Sequence, residues 1–221
     1  MKLLIDSANI EDIKHVHSLS CFEGVTTNPT ILFKEKCNIK KRIKEISEIT
    51  KEVIFIQIIG KDEVDLFSNF EDLKNFTQTN SINFVVKIPI NSSGLIVIEK
   101  IKSLYPEQKI LGTAIYTLEQ AILAIISDCD YIAPYFNRIL NVGSDPKKVI
   151  CDSRSFIDTS NSNCKIVAAS FKTKEQVLDA FIAGAHTCTI SKDIFDDILK
   201  NDNVDKAIEK FNLDGFNSNV Y

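Results

Sequence analysis

The sequence predicts an α/β fold, a single-domain (βα)8 barrel of the TIM type that covers residues 1–221 and carries an extra C-terminal helix. Two observations predict it: eight short runs of β-branched and aliphatic residues, and stripes of apolar residues at helical spacing between them. The runs recur about every 26 residues, roughly the length of chain that a βα unit requires. They are Leu3–Asp6, Gly24–Asn28, Val53–Ile59, Ile82–Pro89, Lys109–Ala114, Tyr131–Tyr135, Cys164–Ser170 and Thr187–Ser191.

The runs are mostly continuous in apolar residues rather than alternating, which is typical of parallel strands buried on both faces. A doubly wound sheet is the alternative architecture, but it rarely repeats the βα unit eight times. Eight units in 221 residues suit a barrel near the lower size limit of that fold. Because no stretch rich in Pro, Gly or Ser divides the chain, we expect one domain.

Between the runs, apolar residues three or four apart predict amphipathic helices that pack on the core. These stripes are Ile10, Ile13 and Val16; Ile39, Ile43, Ile46 and Ile49; Val64, Phe67, Phe70 and Leu73; Leu95, Ile98, Ile101 and Leu104; Ile122, Ile125 and Ile126; and Val177, Leu178, Phe181 and Ile182. The last stretch predicts an extra helix over Val204–Phe211. We expect Asn212–Tyr221 to be a tail that could reach a neighbouring subunit.

Composition and charge exclude several classes of protein. The chain has 26 basic and 30 acidic residues, a net charge of −4, so contact with nucleic acid or an anionic membrane has no electrostatic assistance. No apolar run approaches the roughly 20 residues of a membrane helix. The N-terminal apolar run, Leu3–Ile5, is too short for a signal peptide, so we expect a cytoplasmic protein.

Cysteines and histidines give no sign of a metal site. The six cysteines form no C-x-x-C pair, the three histidines form no H-E-x-x-H motif, and the two classes do not cluster. The G-x-S-x-G motif of serine hydrolases is also absent. The sequence therefore predicts neither a metal nor a cofactor.

Polar residues stand at or near the ends of seven of the eight runs. They are Asp6, Asn28, Gln57, Lys87, Thr113, Tyr135 and Ser170. Each has a simpler explanation: Asp6 could cap a helix, Asn28 could make a turn, and others could fill the barrel mouth. In a barrel, however, the carboxyl ends of the strands converge on one mouth, where barrel enzymes have their chemistry. Together, the seven residues therefore indicate a functional site.

Lys87 is the most informative of the seven, because it lies in the apolar segment FVVKIPI. Lysine is rarely buried without a reason, although its stem could lie on apolar surface with the ammonium in water. Burial disfavours the charged form and lowers the lysine pKa from ~10.4 toward roughly 7–8. Such an amine attacks carbonyl carbon and forms a Schiff base, which allows an adjacent C–C bond to break or form without a metal.

Arg138 is one of only three arginines and follows the sixth run in APYFNRI. Its guanidinium is suited to bidentate phosphate binding, although a surface ion pair is an equal alternative. Ser170, in AASFKT, lies where barrels often bind phosphate, after the seventh strand. Together they predict a phosphate site at the end of the seventh strand.

Five ordered motifs resemble the transaldolase family, and most closely its small, single-domain branch that contains fructose-6-phosphate aldolase. They are GVTTNP, VVKIP, LGTAIY, APYFNRI and AASFKT, and the likeness extends to the opening LLIDSANI. The resemblance covers nearly the whole chain. It implies a (βα)8 barrel, class I aldol chemistry through a Schiff base, and a ring-like homo-oligomer, a pentamer or decamer, with the C-terminal helix resting on a neighbour.

The resemblance also implies a role for each matching residue. Lys87 resembles the Schiff-base lysine, and Asp6 the carboxylate that contacts substrate hydroxyls and assists proton transfer. Thr26 and Asn28 resemble substrate-contacting positions on the second strand. Arg138 and Ser170 resemble the phosphate-binding pair.

Three positions separate the branches of the family, and all three resemble the aldolase pattern. Gln57 stands where transaldolases have Glu, Leu111 and Ala114 flank Gly112-Thr113, and Tyr135 stands where they have Phe. Glutamine cannot titrate and can only orient a water molecule, whereas a tyrosine hydroxyl can act as acid or base. We therefore expect Gln57, Thr113 and Tyr135 to hold one catalytic water, with Tyr135 as the proton donor.

Two departures from the family pattern lie near the expected phosphate. Leu140-Asn141 stands where an Asp is frequent, and Ser191-Lys192 stands where a Pro is common. A sulfonate or another anion could therefore replace phosphate at that end of the substrate.

The expected activity is reversible cleavage of fructose 6-phosphate to dihydroxyacetone and glyceraldehyde 3-phosphate. The first alternative is a transaldolase of the pentose phosphate pathway, which passes the dihydroxyacetone unit to another sugar phosphate. The second is a catalytically silent barrel that binds sugar phosphates, against which the apolar setting of Lys87 argues.

Overall fold

Eight parallel strands close into a barrel in the order of the sequence, and β8 returns to pair with β1. The structure, a computed structural model, describes residues 2–19 and 21–217. The strands are β1 (Leu3–Asp6), β2 (Phe22–Thr26), β3 (Val53–Gln57), β4 (Phe84–Pro89), β5 (Ile110–Ile115), β6 (Tyr131–Pro134), β7 (Lys165–Ala168) and β8 (Thr187–Ile190). Each strand overlaps one of the eight predicted runs, so the predicted (βα)8 barrel is confirmed.

Eleven helices occupy the described residues, and the helices between the strands pack on the outside of the barrel. They are α1 (Ile10–His17), α2 (Pro29–Lys34), α3 (Ile39–Ile49), α4 (Glu63–Thr79), α5 (Ser92–Leu104), α6 (Leu118–Ile126), α7 (Phe136–Asn141), α8 (Pro146–Thr159), α9 (Lys174–Ile182), α10 (Lys192–Leu199) and α11 (Asp202–Asn217). In the described ranges, no helix combines the length and apolar character needed to span a membrane.

Apolar strand residues divide between two cores because successive side chains of a strand point to opposite faces. Outward residues such as Ile54, Ile56 and Ile88 pack against the helices. An inner cluster fills the barrel itself. It consists of Leu4, Phe55, Val85, Leu111, Ala133, Val167 and Ala169. This inner cluster fills the barrel interior directly below the carboxyl ends of the strands.

Helix caps explain where two of the strand-to-helix connections turn. Asn9, rather than Asp6, caps α1, and its Oδ1 accepts from the amides of Glu11 and Asp12 at 2.9 and 3.1 Å. Asn28 caps α2 by accepting from the amide of Ile31 at 3.0 Å. Asp6 is therefore not needed as a cap, and its carboxylate is available for another role.

The C-terminal helix is longer than its predicted span, Val204–Phe211. Helix α11 runs from Asp202 to Asn217, so most of the expected tail is helical, and residues 218–221 lie outside the described residues. The apolar spacing continues through Leu213 and Phe216. A single internal glycine, Gly215, costs a helix only about 1 kcal/mol relative to alanine, which is too little to end it.

Candidate active site

Strand alternation directs five of the predicted residues into the barrel. Each stands two positions after a member of the inner cluster and so shares its inward face. The pairs are Leu4 and Asp6, Phe55 and Gln57, Val85 and Lys87, Leu111 and Thr113, and Ala133 and Tyr135. The polar residues thus form the next layer of the barrel interior, at the carboxyl ends of the strands.

Lys87 lies in this layer with only 5% of its surface exposed. Its Nζ donates to the carbonyl oxygen of Thr27 at 2.7 Å. Burial lowers the pKa of the Lys87 amine, while the Asp6 carboxylate acts in the opposite direction. A neutral amine that donates one N–H to Thr27 retains its lone pair, which is the property a nucleophile needs.

Asp6 ends β1 and is partly open to the cavity. Its Oδ1 accepts from the hydroxyl of Thr26 at 2.7 Å. Burial raises the pKa of Asp6, and the nearby Lys87 charge and the Thr26 hydrogen bond oppose that change. The carboxyl group is therefore a candidate for proton exchange with a bound substrate.

Tyr135 and Thr113 form a direct pair, with 2.9 Å between their hydroxyl oxygens. Thr113 is fully buried and Tyr135 borders the cavity. Burial raises the pKa of Tyr135, opposed by the Thr113 hydrogen bond and by the charge of Arg138. If Thr113 donates, the phenolic proton of Tyr135 is free to point at a substrate.

Gln57 and Asn28 contribute amides to the same mouth. Gln57 lies beside Lys87 in the register of β3 and β4 and borders the cavity. Asn28 also borders it, although its side-chain oxygen is engaged in the cap of α2. That a water molecule joins Gln57 to Thr113 and Tyr135 stays a prediction.

Arg138 and Ser170 lie at the outer rim. The Arg138 guanidinium donates from Nη1 to the Tyr116 hydroxyl at 3.0 Å, and its Cζ lies 5.0 Å from the centre of the Tyr135 ring. The Tyr116 contact raises the pKa of Arg138, so the group stays charged. Ser170 has a backbone φ of +64°, a left-handed conformation that is rare for a residue other than glycine and that clusters at functional sites.

One cavity of about 280 Å³ unites these groups. It is bordered by eight of the nine predicted residues, namely Asp6, Thr26, Asn28, Gln57, Lys87, Tyr135, Arg138 and Ser170. Thr113 reaches it through Tyr135. Within the described part of the chain, no group of three or more His, Cys, Asp or Glu residues could hold a metal ion.

Comparison with known proteins agrees with this geometry. Residues 3–219 match the family described as Transaldolase/Fructose-6-phosphate aldolase. The chain belongs to this family. Its members are aldolases or transaldolases, so the barrel is that of an enzyme family.

Three relatives match nearly end to end. A protein of Streptococcus pneumoniae (strain ATCC 700669 / Spain 23F-1) named "Probable fructose-6-phosphate aldolase" is 35% identical, over 98% of this chain and 96% of its own. A "Probable transaldolase" of Geobacillus kaustophilus (strain HTA426) is 28% identical over 97% and 98% of the two chains. A "Probable transaldolase" of Oceanobacillus iheyensis (strain DSM 14371 / CIP 107618 / JCM 11309 / KCTC 3954 / HTE831) is 30% identical over 99% of each.

Two further residues lie at the site and were not predicted from the sequence. Thr189 on β8 borders the cavity, and its hydroxyl lies 2.5 Å from that of Thr26. Tyr116, just beyond β5, holds Arg138. The only signal for Thr189 is its position near the end of the eighth strand, and threonine is common in strands. The only indication of a role for Tyr116 is that it lies in the same motif as Thr113, LGTAIY.

Proposed function

We propose that the protein is a class I aldolase that reversibly cleaves fructose 6-phosphate into dihydroxyacetone and glyceraldehyde 3-phosphate. The observation that carries this proposal is the buried Lys87 amine at the cavity floor, whose pKa is lowered by burial. A silent binding barrel gives no reason to bury a lysine in an apolar strand, because burial of an ammonium costs stability.

In the proposed first step, the lone pair of Lys87 Nζ attacks the ketone carbon C2. Loss of water gives an iminium, which withdraws electrons from the C3–C4 bond. Removal of the C4 hydroxyl proton, assisted by Asp6 or by a water beside Tyr135, breaks that bond. Glyceraldehyde 3-phosphate leaves, and the bonding electrons remain on the enzyme as an enamine.

In the second half, C3 of the enamine is protonated with Tyr135 as the proposed donor. Water then adds to the iminium, dihydroxyacetone leaves, and Lys87 returns as a free amine. Asp6 and Tyr135 suit these proton transfers because each borders the cavity and each is hydrogen-bonded to a threonine that orients it.

Phosphate recognition is assigned to the rim. Arg138 is a fixed cation there, and Ser170 offers a hydroxyl on the same cavity. Because guanidinium binds phosphate in a bidentate manner, these groups favour a substrate phosphorylated at the end remote from the ketone. A sulfonate would have similar charge and geometry.

Transaldolase activity is the second candidate, favoured by the names of the Geobacillus and Oceanobacillus relatives. Aldolase activity is favoured by Gln57, which cannot serve as the base that a glutamate could provide, and by the hydroxyl of Tyr135, which can protonate the enamine. A transaldolase must instead keep the enamine unprotonated until an acceptor aldehyde arrives.

Turnover without an acceptor separates the two activities. The protein is incubated with fructose 6-phosphate alone, and glyceraldehyde 3-phosphate is followed through a coupled dehydrogenase. Sustained turnover with an equal amount of free dihydroxyacetone is the expected result. A single-turnover burst that becomes continuous only with erythrose 4-phosphate would show a transaldolase and overturn the proposed reaction, while Lys87 would keep its role.

A further inference from the structure

Two threonine hydroxyls and one carboxyl group form a hydrogen-bonded chain where β8 meets β1 and closes the barrel. Thr189 Oγ1 on β8 lies 2.5 Å from Thr26 Oγ1 on β2, which donates to Asp6 Oδ1 on β1 at 2.7 Å. The threonines are 4% and 1% exposed, so their hydroxyl partners are found within the protein. The strand register holds the chain in place, because β1 pairs with both β8 and β2.

Proton counting fixes the direction of this chain. Each threonine hydroxyl has one proton, and an ionised carboxylate can only accept. The Thr26 proton is therefore used in the bond to Asp6. The contact between the two threonines is then a hydrogen bond only if Thr189 donates to Thr26.

We infer that Thr189 is a positioning residue, which turns the Thr26 hydroxyl toward Asp6 and so holds the ionised carboxylate in place for proton transfer in the cavity. This inference deepens the proposed function and rests on it for the meaning of that proton transfer. A donor that itself accepts a hydrogen bond is polarised and binds its acceptor more strongly, by roughly 10–30% per bond. Thr189 thereby strengthens the bond from Thr26 to Asp6.

Two other titratable groups act on Asp6 from across the mouth. Lys87 on β4 favours the ionised carboxylate, and the charge of Asp6 in turn raises the pKa of Tyr135, after β6. Both are members of the proposed machinery and cannot be altered without changing the reaction. Thr189 is neutral and does not titrate, so its removal changes the surroundings of Asp6 and leaves the charges in place.

The test compares Thr189→Val with two reference variants. Thr189→Ser keeps the hydroxyl. Thr187→Val makes the same change two residues earlier on β8, where the buried Thr187 hydroxyl donates to the Lys2 carbonyl at 2.7 Å and does not contact the chain. The measured quantity is the titration midpoint of Asp6, followed by the infrared absorption of its protonated carboxyl group and assigned by its loss in Asp6→Asn.

Thr189→Val is expected to move the Asp6 midpoint to higher pH, by roughly half a pH unit or more, because the ionised form loses support. Thr189→Ser and Thr187→Val are expected to match the wild type. The inference is overturned if Thr189→Val titrates like the wild type, or if Thr187→Val shifts the midpoint equally. Should Thr189→Val fail to fold, Thr189→Ala is measured in its place against the same two references.

Kinetics separate this inference from the proposed function. The acid limb of kcat for fructose 6-phosphate should follow the Asp6 midpoint, so that kcat at a pH on that limb is roughly 3-fold lower in Thr189→Val. A wild-type protein that does not cleave the sugar, together with a shifted midpoint in Thr189→Val, would overturn the function and leave the role of Thr189 standing. Cleavage of the sugar by the wild type, with an unshifted Asp6 midpoint in Thr189→Val, would support the proposed function and overturn the role of Thr189.

Discussion

Arg138 Nη1 donates to the Tyr116 hydroxyl at 3.0 Å, so the cation at the rim is held by a residue that follows a different strand. The guanidinium also lies over the ring of Tyr135, and the rings of Tyr116 and Tyr135 are 5.9 Å apart. The three side chains therefore form one unit. It joins the proposed phosphate site to the proposed proton donor, and it holds an otherwise exposed arginine in a fixed position.

Tyr116→Phe should weaken substrate binding more than it slows the reaction. The change removes the acceptor of Arg138 and keeps the ring, so the loss is that of one hydrogen bond, about 1 kcal/mol. KM for fructose 6-phosphate should rise roughly 3- to 10-fold, with kcat less affected. Steady-state kinetics measure both. Tyr105→Phe, which loses a bond to Glu71 on the outside of the barrel, is the control, and an equal KM in the two variants would contradict the assignment.

Asp6→Asn should move the titration of Lys87 downward. The Asp6 carboxylate raises the pKa of Lys87 against the larger effect of burial, so removing the charge leaves burial less opposed. The neutral amine would then persist to lower pH. The pH dependence of imine trapping by borohydride with dihydroxyacetone reports this midpoint, which should lie below the ordinary lysine value of ~10.4 in the wild type and lower still in the variant. A midpoint that rises in Asp6→Asn would contradict the proposed coupling.

His186 should make the barrel sensitive to acid. Its Nδ1 accepts from the amide of Ile166 at 2.9 Å, and burial, with the charge of Arg154, lowers its pKa. Protonation destroys the acceptor, so this contribution to stability is complete above a pH of about 6.5 and is lost as pH falls through the lowered value.

The variant His186→Asn keeps an acceptor that does not titrate. Between pH 7 and pH 5, its free energy of unfolding should fall by roughly 0.5 kcal/mol less than that of the wild type, a modest figure because the imidazole is partly exposed. Urea unfolding at the two pH values measures the difference. The exposed His17→Asn serves as control, and parallel losses in His186→Asn and the wild type would show that Nδ1 is not the acid-sensitive acceptor.

Helix α11 should be needed for assembly. Its apolar side chains Val204, Ile208, Phe211, Leu213 and Phe216 are all at least half exposed in the single chain. We propose that they are covered in a homo-oligomer. Truncation after Asn201 should therefore reduce the mass measured by light scattering, and an unchanged mass would count against this role of the helix.

Much of this architecture is predictable because strands buried on both faces leave unbroken apolar runs. The site is predictable for the same reason: the strand ends converge, so Asp6, Lys87 and Tyr135 can be expected to meet without knowledge of their distances. Thr189 and Tyr116 could not be found this way. Each matters through a partner on another element, Thr26 on β2 or Arg138 on α7, and neither residue is unusual in its local sequence. The predicted end of α11 at Phe211 was wrong, because the apolar spacing continues through Leu213 and Phe216 and the helix runs on to Asn217.

Borohydride trapping at Lys87 tests the central proposal most directly. The protein is mixed with dihydroxyacetone, reduced with borohydride and weighed by intact mass spectrometry, with Lys87→Met treated in parallel. We expect one stable adduct of the reduced dihydroxyacetone imine in the wild type, located at Lys87 by peptide mapping, and none in the variant. No adduct in the wild type, or an adduct that survives in Lys87→Met, would contradict Schiff-base chemistry at this residue.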